Sequence, residues 1–336
     1  MRILAFLLFF QSFAACQQGT DISLPVEASI ASSFQAIHWQ APNKALPADQ
    51  VYRSTDGGQT WQGAGSGLPV GYKAGGIFST GGKVYLVSEN GMYQSTAATA
   101  APLWEKAVFL EDHITGIFPG RAGTYALSMW NGLYQEILPG IWSAAHTPLK
   151  DKSVRSVLET PDGAVFVACD AGIFKSGHNG HCWKHVFQEG MVLNMVESGG
   201  VLVAAGFKGL LRSTDGGEHW NWVLTEGGVG IETTRIASGI AAITYNGKME
   251  TRRVRTSADN GKTWQPIDAG LLPSPSISSV QQAGEYLLCS HPAGIYRSAD
   301  QGKTWELILP ASEGMMFEFA VSGNVIYAVR APVDGC

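Results

Sequence analysis

The chain has 336 residues, 45% of them hydrophobic and 15% charged, with 41 glycines, 10 tryptophans and a formal net charge of −5. So low a charged fraction with so much glycine suits many short strands joined by tight turns. The acidic balance leaves no basic run beyond Arg252-Arg253-Val254-Arg255, too little to neutralise a phosphate backbone, and excludes a nucleic-acid partner.

In chain order the first element is an export signal. Arg2 precedes an apolar run over residues 3–10, followed by Gln11-Ser12-Phe13-Ala14-Ala15-Cys16. A positive start, a short apolar core and small residues before a cut point form a secretory signal, and the run is too short to cross a bilayer as a helix. Phe13-Ala14-Ala15-Cys16 resembles the bacterial lipobox. The resemblance implies a signal peptide over residues 1–15, lipidation of Cys16 and a polar tether as far as residue 28. Gln17, rather than Asp, after the cysteine implies sorting to an outer membrane or cell surface. An ordinary signal cut near Ala15, with Cys16 a bystander, is the alternative. Of the other cysteines, Cys169, Cys182, Cys289 and Cys336, none falls in a regular disulfide framework. Cys169 and Cys289 sit near the ends of apolar strands, as small buried thiols do.

From residue 50 onward the chain repeats itself. Ser-x-Asp-x-Gly-x-Thr-Trp occurs intact at residues 54–61, 257–264 and 298–305; residues 213–220 differ only by His219, and residues 176–183 carry His178 in place of Asp. Two eroded copies, ending at Trp104 and Trp142, keep little but the tryptophan. The tryptophans at 61, 104, 142, 183, 220, 264 and 305 are spaced by 37 to 44 residues, the length of one four-stranded propeller blade. Within the motif, Ser and Asp side chains bond the backbone of a tight turn, Gly supplies a positive φ, and the Trp ring is buried between blades. Asp56, Asp215, Asp259 and Asp300 are thus turn caps, and Trp61, Trp220, Trp264 and Trp305 their packing partners.

Upstream of each box stand two apolar runs broken by a Gly-containing turn, as in 77–87, 157–167, 195–204, 280–288 and 319–329, then a Gly-apolar-aromatic step such as Gly91-Met92-Tyr93. Each blade therefore reads strand, Gly turn, strand, loop, strand, Asp-box turn, strand. The chain opens on a third strand, Val51-Tyr52-Arg53-Ser54, and closes on a first and second, 319–330. Joining them gives an all-β, seven-bladed β-propeller of four-stranded antiparallel blades over residues 29–336, closed by pairing N- and C-terminal strands. Residues 33–39 also alternate apolar and polar, without a clear place in the ring.

These boxes resemble those of the Asp-box (BNR-repeat) propellers: sialidases, xyloglucanases, sortilin-type receptors and photosystem II assembly-factor-like proteins. The resemblance implies the fold and not the function, since that fold hosts enzymes, receptors and scaffolds. A sialidase needs an arginine triad to clamp a carboxylate, the first Arg in an Arg-Ile-Pro motif, and no Arg-Ile-Pro occurs. Arg53, Arg212 and Arg297 each precede a box serine, where they cover blade surface. Xyloglucanases carry two propellers with a cleft between them; one propeller is legible here.

In the enzymes of this family the Asp-box turns lie opposite the active site. That implies a functional face made by the second-to-third and fourth-to-first strand loops, with Trp130, Asn131, Arg155, Lys208, Glu232, Arg235, Arg252 and His291 as binding residues. Arg155 and Arg235 read as lying near the starts of inner strands, facing the axial funnel or paired with Asp151 and Glu232. Trp130 is either a rim anchor or inter-blade packing. His178, His181, Cys182 and His185 have zinc-like spacings, but a drifted Asp-box is the simpler account, so no metal or other cofactor is expected. The expected activity is non-catalytic binding or assembly, as a monomer engaging a protein or glycan in the cell envelope and touching the membrane through the lipid anchor only. A sialidase-like glycoside hydrolase with a non-standard active site is the alternative.

Overall fold

A computed structural model of the chain describes residues 51–88, 91–107, 113–121, 123–128, 132–145, 147, 149, 152–177, 182–312 and 314–333. All belong to the unit Ala45–Cys336; residues 1–50, with Cys16, the tether and residues 33–39, lie outside the described residues.

Among the described residues there are seven sheets, each of four antiparallel strands. Blade 1 is Gly76–Thr80, Lys83–Ser88, Gly91–Thr96 and Glu105–Lys106; blade 2 is Ile114–Pro119, Thr124–Ser128, Gly132–Leu138 and Ile141–Ala144. Blade 3 is Val154–Glu159, Val165–Cys169, Gly172–Ser176 and Trp183–Phe187; blade 4 is Val192–Ser198, Val201–Gly206, Gly209–Ser213 and Asn221–Leu224. Blade 5 is Gly230–Ile236, Gly239–Asn246, Thr251–Ser257 and Gln265–Pro266; blade 6 is Ser279–Ala283, Tyr286–His291, Gly294–Ser298 and Glu306–Pro310. Blade 7 is composite, Met315–Ser322 and Val325–Pro332 from the C-terminus joined to Val51–Ser54 and Gln62–Gly63, with Val51 opposite Val329 and Ser54 opposite Ile326. The first strands of the blades touch in a complete circuit, blade 7 meeting blade 1. The seven-bladed, seam-closed propeller anticipated from the tryptophan spacing is the observed fold.

Packing explains why the repeat reads as it does. The second strands are buried on both faces, so Val165–Cys169 and Val201–Gly206 are almost uninterrupted apolar runs. Alternate side chains of one strand serve different interfaces: Leu202 and Ala204 join the core between blades 3 and 4, whereas Val203 and Ala205 join that between blades 4 and 5. Every junction holds its own core cluster and one box tryptophan. Trp104 and Trp142 occupy theirs from eroded boxes as fully as Trp264 does from an intact one. Antiparallel order places the first-to-second turns and the Asp-boxes at one end of each blade, and the other two sets of loops at the opposite end.

Candidate functional site

On the Asp-box face the aspartates act within their own turns. Ser54 Oγ donates to Asp56 Oδ1 at 2.8 Å, Asp56 accepts from the Thr60 amide and hydroxyl at 3.0 and 2.6 Å, and the Gly58 amide bonds Ser54 Oγ at 2.9 Å. The same set recurs at Asp259 and Asp300, and at Asp215 the His219 ring stands in for threonine, Nδ1 lying 2.6 Å from Oδ2. These donors hold the carboxyls down, Asp300 to about 2 chiefly through the Thr304 hydroxyl. Two successive residues of the turn have positive φ; the first is Gly57, Gly216, Asn260 or Gln301, the second always glycine. A Cβ on that second residue would lie 2.3 Å from Ile308 at Gly58, 2.3 Å from Phe166 at Gly217 and 2.5 Å from Val203 at Gly261, so only glycine fits.

The three arginines that precede box serines are bonded within or between blades. Arg212 Nε donates to the Asn260 carbonyl at 2.7 Å, and Arg297 Nη1 to the Gly57 carbonyl at 2.8 Å, each bracing the box of the following blade. Arg53, buried, donates to the Tyr327 hydroxyl at 3.2 Å across the seam.

At the loop end the expected binding residues separate into free and committed groups. Arg155 is exposed and is the extra residue of a β-bulge between Val154 and Ser156, a device that re-aims a side chain at the end of a strand. Lys208 is exposed over the Phe207 ring, 5.0 Å from its centroid. Lys152 and Lys248 are exposed as well, on loops that also carry the exposed carboxylates Asp170, Glu189 and Glu250. Arg252 is half-buried and donates to the Ile277 carbonyl at 2.9 Å, fastening a second-to-third loop to the connection leading into blade 6. His291 differs from the expectation of an open loop residue: it is buried, Nε2 donates to the Leu272 carbonyl at 3.0 Å, and Nδ1 accepts from the Ala293 amide at 3.0 Å. Burial holds it below its usual titration range, so it is a neutral internal brace. Arg235 also differs, because Gly230–Ile236 runs from the loop face to the Asp-box face and Arg235 stands near its far end, opposite Ile240 and 4.0 Å from Glu197. Trp130, Asn131 and Asp151 lie outside the described residues.

Sequence reasoning missed a polar ladder along the inner strands. Asn194 Oδ1 accepts from the Thr233 amide at 2.9 Å and its hydroxyl at 2.6 Å, and Glu232 accepts from the Val280 amide at 2.9 Å. Gln281 Nε2 donates to the Phe319 carbonyl at 3.1 Å. Each of these side chains satisfies a backbone group on the free edge of the next blade's first strand, which has no neighbour on the axial side. Register from the first-to-second turns places Asn194, Glu232 and Glu318 at one level of blades 4, 5 and 7. Burial pushes Glu232 up to about 7 and also raises Glu318.

Glu232 sets a pH test. Its folded pKa lies above its ordinary value of 4.5, so its favourable contribution is whole below about pH 4.5 and is lost as pH rises to about 7. Glu232→Gln keeps an acceptor for the Val280 amide and cannot ionise. We expect it to raise stability at pH 8 by roughly 1–3 kcal/mol and leave stability at pH 4 nearly unchanged. Urea melts of both proteins across that range check this; equal differences at the two pH values would refute it.

Of the histidine–cysteine cluster, His178 and His181 lie outside the described residues. His185 stacks on Phe174 with centroids 4.0 Å apart and bonds the Ala171 carbonyl at 3.0 Å, while Cys182 is an exposed free thiol. Among the described residues no group of three or more His, Cys, Asp or Glu is placed to hold a metal. Cys169 and Cys289 are buried thiols.

A family model for the BNR/Asp-box repeat matches residues 52–62, the seam blade's third strand and box. The chain folds as a β-propeller and carries Asp-box repeats. No curated protein matches it in sequence. Its fold is similar to that of the GH74 xyloglucanase from Xanthomonas campestris, with a TM-score of 0.62 and 13% identity over 82% of this chain and 53% of that one. It is similar also to an ancestral GH74 enzyme, with a TM-score of 0.58 and 16% identity over 77% of this chain and 44% of the enzyme. YCF48 bound to D1 peptide matches with a TM-score of 0.55 and 14% identity over 85% of this chain and 98% of YCF48. The Asp-box propeller thus spans about half the length of the two GH74 enzymes and nearly all of YCF48. At these identities the likeness is one of fold.

Proposed function

We propose that this Asp-box propeller is an exported, lipid-anchored, non-catalytic scaffold that binds a protein partner on its loop face. The observation that carries the reading is the division of charged groups. Arg53, Arg212, Arg252 and Arg297 are bonded within or between blades and Glu232 caps a neighbouring strand, whereas Lys152, Arg155, Lys208 and Lys248 are exposed on the loop face of blades 3 to 5, interleaved with exposed Asp170, Glu189 and Glu250. Cations arrayed on a rigid rim suit recognition of acidic groups on an extended segment. YCF48, nearly all of whose length this chain matches in fold, is seen with D1 peptide bound. Export and anchoring follow from Arg2, the apolar run over residues 3–10 and Cys16.

The test is capture from the native envelope with the full lipidated chain. Arg155→Glu with Lys208→Glu should lower the recovered partner at least about tenfold, through like-charge repulsion. Unchanged recovery would remove this face from the binding surface. Chromogenic glycosides, sialosides included, address hydrolysis, and turnover abolished by Glu318→Gln would replace the scaffold reading with catalysis.

A further inference from the structure

On the Asp-box face, two blade junctions share a plan, and one of them is short of a ring. In blade 6, Leu287 stands opposite the box serine Ser298, and Tyr286 comes one residue before it. A Cβ on Gly57, in the box of blade 7, would lie 2.5 Å from the Tyr286 ring. Arg297 covers that ring, 4.8 Å from its centroid, and bonds Glu306 at 2.7 Å. In blade 3, Val165 stands opposite Ser176, which gives Ala164 the place of Tyr286 and Lys175 the place of Arg297. Lys175 has its own anion, Glu218 at 2.6 Å. A Cβ on Gly216, the counterpart of Gly57, would meet only the Lys175 ammonium, 3.9 Å away. In the corresponding place between blades 3 and 4 lies a cavity of about 260 Å³, lined by Ala164, Phe166, Leu202 and Gly216, with the carboxylates of Asp162 and Glu197. Asp162 and Gly216 are exposed at its mouth, and Phe166 and Leu202 are buried at its floor.

We propose that this cavity is a binding site for a phenol, whose ring takes the place that Tyr286 holds in its own junction. The floor is apolar and already fixed by core packing, as a site for a flat ring requires. An apolar cavity of about 150 Å³ is enough for benzene, so a substituted ring fits this one. Lys175, 5.8 Å from the Phe166 centroid, can give the ring's outer face the cation that Arg297 gives Tyr286. A hydroxyl in such a hole needs an acceptor, and the two carboxylates supply it. Each is held in place by its own turn, Asp162 Oδ1 accepting from the Thr160 hydroxyl at 2.5 Å and Glu197 Oε1 from the Gly200 amide at 2.6 Å. Two cations already stand near, Lys175 beside Gly216 and Arg235 4.0 Å from Glu197 Oε2, so a neutral donor suits the site better than a cationic one. The space has a local origin. Blade 6 turns through Gly284-Glu285 straight into Tyr286, whereas blade 3 takes residues 160–164 to pass from Glu159 to Val165, and Arg121 of blade 2 donates to the Pro161 carbonyl of that wider turn. The cavity is on the face opposite the exposed loop-end side chains, so the inference stands apart from the scaffold reading.

The experiment follows p-cresol, the tyrosine side chain as a free molecule, by saturation-transfer NMR on the full chain. We expect a Kd on the order of 1 mM, as suits so few heavy atoms. Toluene, which lacks the hydroxyl, should bind at least about tenfold more weakly. Ala164→Tyr rebuilds the Tyr286 arrangement from within; it should abolish p-cresol binding and melt no lower than the parent. Gly216→Gln is a second block on a turn that the fold already accepts, since Gln301 holds the same box position with a φ of 60°. It should abolish binding too, whereas Gln301→Gly, in the box of blade 6, should leave binding unchanged. N-acetyltyrosinamide distinguishes the source of the ring. Its binding alongside p-cresol supports a site that takes a partner's tyrosine, and its exclusion supports a site for a free phenol. No p-cresol binding at about 10 mM, or binding that survives both Ala164→Tyr and Gly216→Gln, overturns the site. Equal affinity for toluene overturns the phenol as its ligand.

Discussion

Truncation after Ser312 should give a protein that aggregates or fails to fold. The missing residues supply Met315–Ser322 and Val325–Pro332, the inner half of blade 7, and leave Val51–Ser54 without the partner that completes its sheet. Phe317, Phe319, Ile326, Tyr327 and Val329 are all at most 3% exposed, and they are shared between the cores on either side of that blade. Burial of five such side chains is worth about 8–15 kcal/mol in all, which matches the whole stability of an ordinary domain. Tyr327 adds polar ties, its hydroxyl donating to the Ala97 carbonyl at 3.0 Å and accepting from Arg53 at 3.2 Å. Size-exclusion chromatography and a thermal melt decide the matter. A truncated chain that is monomeric and melts with the intact domain would place the seam elsewhere.

The ring was legible in the sequence because its repeated signal is local and its purpose the same in every blade. A Ser–Asp–Gly–Trp turn folds on itself, and the tryptophan always enters the junction with the preceding blade, so counting tryptophans counts blades even where box residues have drifted. The candidate site was legible only where a side chain is left alone. Arg155 and Lys208 are exposed. His291 and Glu232 are not free, because their partners, the Leu272 carbonyl and the Val280 amide, come from a connecting loop and from the next blade. No spacing rule announces such pairings. Arg235 shows a different limit: the turn signal at Gly239 marks the end of its strand, and the side that a residue faces depends on that direction. The bulges that add Arg155 to its strand leave no mark in periodicity, since they displace the register by one residue beside the loop.

The drifted boxes also indicate which part of the motif carries the energy. Blade 1 has lost the aspartate and kept Trp104, which is 2% exposed, lies edge-on to Tyr327 at 6.2 Å and donates Nε1–H to the Ala64 carbonyl at 2.6 Å. Truncating it removes a ring from the seam core and leaves the carbonyl without its donor. Trp104→Ala should therefore cost about 3–5 kcal/mol. Asp300, by contrast, bonds Ser298 and Thr304 inside one exposed turn and touches no junction. Asp300→Ala should loosen that turn and lower stability much less, and by a margin that shrinks as pH falls from the ordinary carboxylate value of 3.8 through the depressed native value of about 2. Urea denaturation of the two variants at pH 7, with Asp300→Ala repeated at pH 3, tests the ranking. Equal losses from Trp104→Ala and Asp300→Ala would mean that the turn, rather than the blade junction, holds the propeller together.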